Sequence, residues 1–485
     1  MAKKNIKLNY VYNLIYQVLI LILPLITTPY LSRILGAENI GIYGFTLSIS
    51  SYFILFGSLG ISMYGQREIA YVQDDVVKRT KTFYEILFVR FITMFISMVL
   101  FALFFCIKGN FVVYYRLLLL ELVANTLDIS WFFQGMEEFK KTVSRNLVVK
   151  ILSVVCIFAF VKEASDLYIY FIIYVLSLLI GNLSLWLYLP KFIKNCKLSD
   201  INMKRHLLPI ISMFVPQIAI QIYTVLDKTM IGVILNDMVE VGYYEQAQKI
   251  VKIILSVVTA MGIVMVPRIS NLYKKNDKKQ ISNYLSKIFN FVWFLASPLL
   301  FGLIAVSSKV VPWFFGIEFE KVIYLICILA FLIYAIGFNN VIGVQYLIST
   351  NNEKVFTKSV IFGAIINFIL NIIFIKLFGA IGACISSVIA ETSILIYQII
   401  YISKNKDFEV KIIFNNCYKY IFAAIIMCFV TYLVGYRMQP VILTTVIQVI
   451  VGGLTYFILL IIFRDQFLLK YLKQILNLVK GKIKS

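Results

Sequence analysis

The chain has 485 residues, 61% of them hydrophobic, a mean hydropathy of +0.89 and a formal net charge of +22. Helices that are apolar all round must face lipid or a very large core, so this composition excludes an ordinary soluble fold. A large positive charge suggests nucleic acid, but the placement of the basic residues points elsewhere.

A bilayer core about 30 Å thick is crossed by ~20 apolar residues in a helix. Fourteen stretches of that kind run through the chain: 10–31, 40–63, 83–107, 111–133, 146–161, 167–189, 209–233, 242–266, 288–307, 322–348, 359–375, 379–402, 419–435 and 441–463. Tyr168, Trp186, Trp293 and Trp313 fall near span ends, where amphipathic rings belong. With the N-terminus inside, the cytoplasmic segments carry 33 of the 46 lysines and arginines and the outer segments 7. Such a bias predicts that both termini lie in the cytoplasm. The basic start does not read as a cleaved signal: its apolar run is too long, contains Pro24 and Pro29 and lacks a small-residue cleavage site. The seven cysteines show no paired spacing, so neither a disulfide framework nor a zinc site is expected. His206, the sole histidine, falls in a basic loop and reads as solvated rather than as a metal ligand.

Two segments repeat. Gly41-Ile42-Tyr43 and Gly242-Tyr243-Tyr244 enter a span in the same way, 201 residues apart. The cytoplasmic loops 135–144 and 350–359 share Glu, Thr and Ser at matching offsets. Six spans per half predict a parallel repeat about an axis along the membrane normal. The expected organisation is a six-helix bundle over 1–200, a second over 201–403, and two further spans with a tail over 404–485. In that tail Leu468, Leu472, Ile475, Leu476 and Val479 keep helical spacing, the pattern of an amphipathic helix on the inner leaflet.

Ionisable residues within spans are costly and usually face a cavity or a partner. The first span of each half contains prolines, Pro24 and Pro29 in one, Pro209 and Pro216 in the other, and interrupted helices at matching positions point to a binding site. Asn13, Gln17, Pro24 and Thr28 share one face of the first span. Gln217, Gln221, Thr224 and Lys228 share one face of the seventh, and Glu245, Lys249, Lys252 and Ser256 one face of the eighth. At 1.5 Å per residue, Lys252 lies roughly 15 Å below the outer end. Lys228, Lys249 and Lys252, with Arg33 at the outer end of the first span, form a candidate cationic patch for a phosphate-bearing or acidic substrate. The alternative is an i, i+4 pair of Glu245 with Lys249, the others snorkelling. Arg90, Thr93 and Ser97 on one helix, and Asn146, Lys150 and Ser153 on another, form a possible inward-side counterpart. Glu121 and Glu391, near the midplane, are candidates for proton or sodium coupling together with Glu245, a static ion pair being the other reading. Arg116 lies opposite the Glu121 face and reads as snorkelling. There is no Walker lysine motif, no nucleophile–base pair and no metal cluster, and no resident cofactor is expected.

Seven blocks carry a family resemblance: PLITTPYLSRILGAENIGIYGF (24–45), FGSLGISMYGQREIA (56–70), DISWFFQGMEEFKKTVSRN (128–146), LDKTMIG (226–232), GYYEQAQKIVKI (242–253), MVPRISNLY (265–273) and STNNEKV (349–355). They resemble bacterial polysaccharide repeat-unit flippases of the Wzx type. That superfamily also holds the multidrug and toxin extruders and the peptidoglycan-precursor flippases. The resemblance implies an all-α polytopic fold of two six-helix bundles facing a V-shaped cavity, alternating access, and movement of an undecaprenyl-pyrophosphate-linked oligosaccharide from the inner to the outer leaflet. It assigns the anion-holding role to Lys228, Lys249, Lys252 and Arg33 by position. It also implies a bacterial inner-membrane monomer that works beside polysaccharide polymerase machinery, with a polyprenyl chain along the two C-terminal spans. The first span has no Asp or Glu, unlike many drug extruders, and 40–63 has no Arg, unlike the peptidoglycan-precursor flippases. A teichoic-acid precursor flippase, a multidrug antiporter and, from another class, a membrane polymerase or glycosyltransferase remain as alternatives. The short outer loops count against the last.

Overall fold

The computed structural model describes residues 6–194, 201–260, 262–405 and 408–470, and among them every regular element is a helix. The first, α1 (Ile6–Ser58), is two helices joined at Gly36, whose φ of 76° breaks the ladder. Only glycine adopts such a backbone readily. Then come α2 (Ile61–Tyr71), α3 (Val76–Phe105), α4 (Val112–Thr126), α5 (Ser130–Gly135), α6 (Phe139–Phe160), α7 (Leu167–Trp186) and α8 (Lys204–Leu235). The Asp75 carboxylate caps α3 by accepting from the amides of Val77 and Lys78 at 3.0 and 3.1 Å. The remainder is α9 (Met238–Thr259), α10 (Gly262–Lys274), α11 (Lys278–Phe314), α12 (Val322–Leu329), α13 (Leu332–Asn339), a π-helical turn at Asn340–Leu347, α14 (Glu353–Phe378), α15 (Ala380–Asn405), α16 (Cys417–Tyr436) and α17 (Ile442–Ile462).

Ten helical segments among the described residues are long and apolar enough to cross a membrane. The difference from the fourteen expected spans has local causes. The stretch 22–71 holds parts of two expected spans in one segment, because helix continues beyond Gly36. α4 has only 15 residues, and α9 carries Glu240, Glu245, Lys249 and Lys252 within 22. Many α8 side chains, among them Gln217, Gln221 and Thr224, lie outside the described residues, as do those of Asn13 and Gln17 and the tail beyond 470.

The chain divides into two compact units, 1–232 with 237–242, and 233–236 with 243–485. In the first, α1 packs on α3, α4 and α6, and α7 closes on α4 and α6. A buried core gathers Ile61, Phe83, Trp131, Phe132 and Phe133. In the second, α11 packs against α16 and α17, and α15 against α12, α13 and α14. The outward faces are apolar, as with Phe95 and Phe104 on α3, Ile151 and Val155 on α6, and Ile450 and Leu454 on α17, all exposed. Faces of that kind are stable against lipid tails and not against water.

The two glycines read as repeat partners meet within the first unit. A Cβ on Gly41 would fall 1.6 Å from the Met238 carbonyl oxygen and 2.9 Å from the Gly242 nitrogen. A Cβ on Gly242 would fall 2.0 Å from the Ala37 carbonyl oxygen and 3.2 Å from the Gly41 nitrogen. Ala37 and Met238 stand at the same 201-residue offset as Gly41 and Gly242. The contact between the segments 37–41 and 238–242 is therefore reciprocal.

Candidate functional site

A cavity of about 410 Å³ lies inside the first unit between α1, α6 and α7. Leu23, Pro24 and Thr27 come from α1, Asn146, Lys150 and Ser153 from α6, and Tyr170, Tyr174 and Asn182 from α7. The charged residues of its lining are Arg145 and Lys150, both cations. Arg145 braces the inner end: its guanidinium donates to the Gly181 carbonyl at 3.0 Å, the Asn182 side-chain oxygen at 3.1 Å and the Asn146 side-chain oxygen at 2.9 Å. Lys150 is half-buried in the wall. Its position, eleven residues into α6, is roughly 16 Å from the helix start at 1.5 Å per residue. Ser153 turns back to the Lys150 carbonyl at 2.8 Å.

At the far end Tyr174 reaches Glu121. The buried Glu121 carboxylate accepts from the Tyr174 hydroxyl at 2.7 Å and the Ser50 hydroxyl at 2.8 Å. Hydroxyls, not a lysine, answer this carboxylate in the contacts observed. Glu391, buried in the second unit, accepts from the Asn339 side-chain amide at 2.6 Å.

Other expected site residues divide by location. Arg90 is buried and donates twice to the Asn125 carbonyl, at 2.6 and 3.1 Å, while Thr93 and Ser97 bond the Gly57 and Phe53 carbonyls. That face of α3 is occupied in packing on α1 and α4, and Arg90 is not among the cavity residues. Arg116 donates to the Cys106 carbonyl at 3.1 Å. On α9 the Lys249 ammonium lies 3.9 Å from Glu245, the i, i+4 pair weighed above, and Lys252, exposed, donates to the Gln248 side-chain oxygen at 3.0 Å. Lys228 is half-buried toward the C-terminal end of α8, and Arg33 is exposed on α1. Beside Lys228, Thr229 bonds Ser48 at 2.8 Å and Tyr52 at 3.2 Å. The description of Gln217, Gln221, Asn13 and Gln17 stops at the backbone.

A second cavity, of about 300 Å³ and mostly apolar, lies in the second unit between α11, α16 and α17, with Ile254 of α9 at its edge. Pro298, Leu303, Met427 and Val449 line it, and Gly302, Gly452 and Gly453 leave it open.

The expectation of a solvated His206 fails. The side chain is 3% exposed, 2.7 Å from the Tyr64 hydroxyl and 2.9 Å from the Glu85 carboxylate. A loop assignment hid this, because α8 begins at Lys204 and turns the imidazole inward. Sequence reasoning also missed Arg145 and Asn182 as cavity residues. Their only signal was an arginine one residue outside an expected span.

A model of the polysaccharide biosynthesis protein family matches residues 6–273. The chain belongs to that family. It is 25% identical over 409 residues to a "Putative O-antigen transporter" of Escherichia coli (strain K12), covering 83% of this chain and 98% of that protein. The solved structure of a lipid II flippase, MurJ, in an inward closed conformation superposes with a TM-score of 0.69 at 18% identity, over 91% of this chain and 99% of that one. An inward-facing multidrug resistance MATE family transporter of the MOP superfamily gives 0.66 at 14% identity, over 80% and 96%. At such identities the structural likeness shows the fold: an all-α, multi-pass membrane protein built on the MATE-like plan. What the chain is similar to are transporters and a flippase, not enzymes.

Proposed function

We propose that this protein is a flippase that carries a polyprenyl-pyrophosphate-linked oligosaccharide repeat unit from the inner to the outer leaflet of the bacterial cytoplasmic membrane, by alternating access, for capsule, exopolysaccharide or O-unit assembly. The observation that carries the reading is the membrane-embedded cavity of the first unit, whose charged lining residues are both cations. A wall of that kind favours an anion such as a phosphate ester and disfavours the organic cations of a drug antiporter. Family membership and the likeness to a lipid-linked-precursor flippase support the same reading.

In this scheme Lys150 and the α8–α9 lysines Lys228, Lys249 and Lys252, with Arg33, meet the pyrophosphate at successive stages. The amides of Asn13, Gln17, Gln217 and Gln221 and the hydroxyls of Tyr170 and Tyr174 meet the sugar. The apolar cavity beside α16 and α17 offers room for part of the polyprenyl chain. The repeats 1–200 and 201–403 are the moving halves. Glu121, Glu245 or Glu391 couples the cycle to a proton or sodium gradient.

The test is flipping of a fluorescent polyprenyl-pyrophosphate oligosaccharide in proteoliposomes, read by quenching from outside. Transfer above the rate of protein-free liposomes is expected. A well-folded protein that leaves the lipid in its original leaflet, yet exports cationic dyes, would replace this reading with the antiporter.

A further inference from the structure

The only histidine of the chain is buried against a buried carboxylate, and the transport scheme above makes no use of either. Glu85 on α3 is 0% exposed and His206 on α8 is 3% exposed. The His206 Nδ1 is 2.7 Å from the Tyr64 hydroxyl of α2, and its Nε2 is 2.9 Å from Glu85 Oε2. The same Glu85 oxygen accepts from the Arg205 guanidinium, and Glu85 Oε1 accepts from the Asn202 backbone amide at 2.8 Å. Arg205 Nε also points at His206 Nε2, 3.1 Å away. The other described charges around the group are Arg67 and Glu68 of α2, paired at 3.1 Å, with the Arg67 guanidinium 5.4 Å from the Tyr64 ring centre.

Two of these contacts exclude one another. To accept from Arg205 Nε–H, the imidazole Nε2 must be bare. To donate to Glu85, it must carry a proton. No single protonation state satisfies both. We infer that His206 is a proton-binding site that exchanges its own N–H for Arg205 at the Glu85 carboxylate. Of the two neutral tautomers, the one with Nε2–H would set that donor against the Arg205 Nε–H, so in the neutral form that keeps this contact Nδ1–H donates to Tyr64, bare Nε2 accepts from Arg205 Nε, and the guanidinium holds Glu85. When a proton from water binds Nε2, the imidazolium donates to Glu85 through Nε2–H and to Tyr64 through Nδ1–H. Arg205 Nε then loses its acceptor and faces a like charge. Its side chain is 48% exposed, so it has a path to water, whereas the buried imidazole has none. Proton uptake thus replaces an exposed tie between α8 and α3 by a buried one, and places a released guanidinium beside the first turn of α8. Histidine is the side chain whose ring can hold one proton or two and so make such an exchange. The site stands on the geometry of the first unit alone and does not depend on what the protein transports.

The sole histidine makes the test direct. Full-length protein labelled with ¹⁵N-histidine and held in lipid nanodiscs gives one imidazole, followed by NMR from pH 5 to 8.5. The expected result is a neutral ring with bare Nε2 at high pH and a doubly protonated ring at low pH. Glu85→Gln should move the transition to lower pH, and Arg205→Ala to higher pH. Arg205 is a surface side chain, so the second variant remains informative if the first fails to fold. A ring that keeps one form across the range would overturn the inference. So would a transition at the same pH in wild type and Arg205→Ala.

Discussion

Lys249 and Lys252 stand within one turn on α9, yet they are held by different chemistry. Lys249 lies 3.9 Å from Glu245, and a pair of that length in a partly exposed setting is worth only ~0.5 kcal/mol. Lys252 rests on a neutral amide oxygen at 3.0 Å. A phosphate offers either lysine a stronger, charge-assisted bond of ~1.5–3 kcal/mol. Lys252→Ala should therefore slow flipping roughly ten- to hundredfold in the proteoliposome assay, with the melting temperature unchanged. Lys252→Arg should keep part of the rate, and Lys108→Ala, in the loop between α3 and α4, all of it. Lys150→Ala should match Lys252→Ala if the α6 cavity is a station on the same path. A Lys150→Ala protein that flips at the wild-type rate would remove that cavity from the route. Glu121 belongs to another class. Glu121→Gln would set an amide N–H₂ against one of two hydroxyls that now donate, and should cost ~1–3 kcal/mol of thermal stability.

The helices carry their own tests. Where Gly41 and Gly242 cross, the Met238 carbonyl occupies the place of a Cβ on Gly41 and the Ala37 carbonyl that of a Cβ on Gly242. Gly41→Val should lower the melting temperature sharply, since the obstacle is backbone and cannot rotate away. Gly453→Ala on α17, where a new Cβ meets nothing within 4 Å, should raise stability by ~0.5–1 kcal/mol through helix propensity. Equal effects from the two substitutions would mean that the crossing is looser than its geometry. At the start of α3, hydrogen bonding from the Lys78 amide, assisted by that of Val77, holds the Asp75 carboxyl below its usual range. A depressed carboxyl stabilises above its unfolded value and loses that contribution as pH falls. The first turn of α3 should accordingly fray below about pH 4, the ordinary range of an aspartate, seen as faster amide exchange at Val77 and Lys78. Asp75→Ala should fray it at every pH.

For the whole molecule the charge pattern makes one strong prediction: the basic segments 64–82, 190–208 and 267–287 share one side of the membrane and the nearly bare segments the other. Reporter fusions at both termini should fluoresce only with fluorophores that mature in the cytoplasm. A terminus found outside would change the number of crossings from even to odd and remove the parallel repeat.

Hydropathy alone determined that this chain spans a membrane many times, because ~20 apolar residues in a row have no other stable use. Short motif blocks determined the family, and a 201-residue offset singled out two glycines that prove to touch. Helical periodicity placed Asn146, Lys150 and Ser153 on one face, and the cavity lies against that face. Periodicity could not say what each face meets. Arg90 shares a face with Thr93 and Ser97 just as Lys150 does with its neighbours, but tertiary packing brought a backbone carbonyl to Arg90 and left a cavity beside Lys150. His206 was decided the same way. A basic loop predicts water around a histidine, and only the docking of α8 on α2 and α3 supplied the buried phenol and carboxylate that exclude it. Polar groups in a membrane protein take their meaning from the neighbour helix, and that neighbour is a matter of packing rather than of sequence spacing.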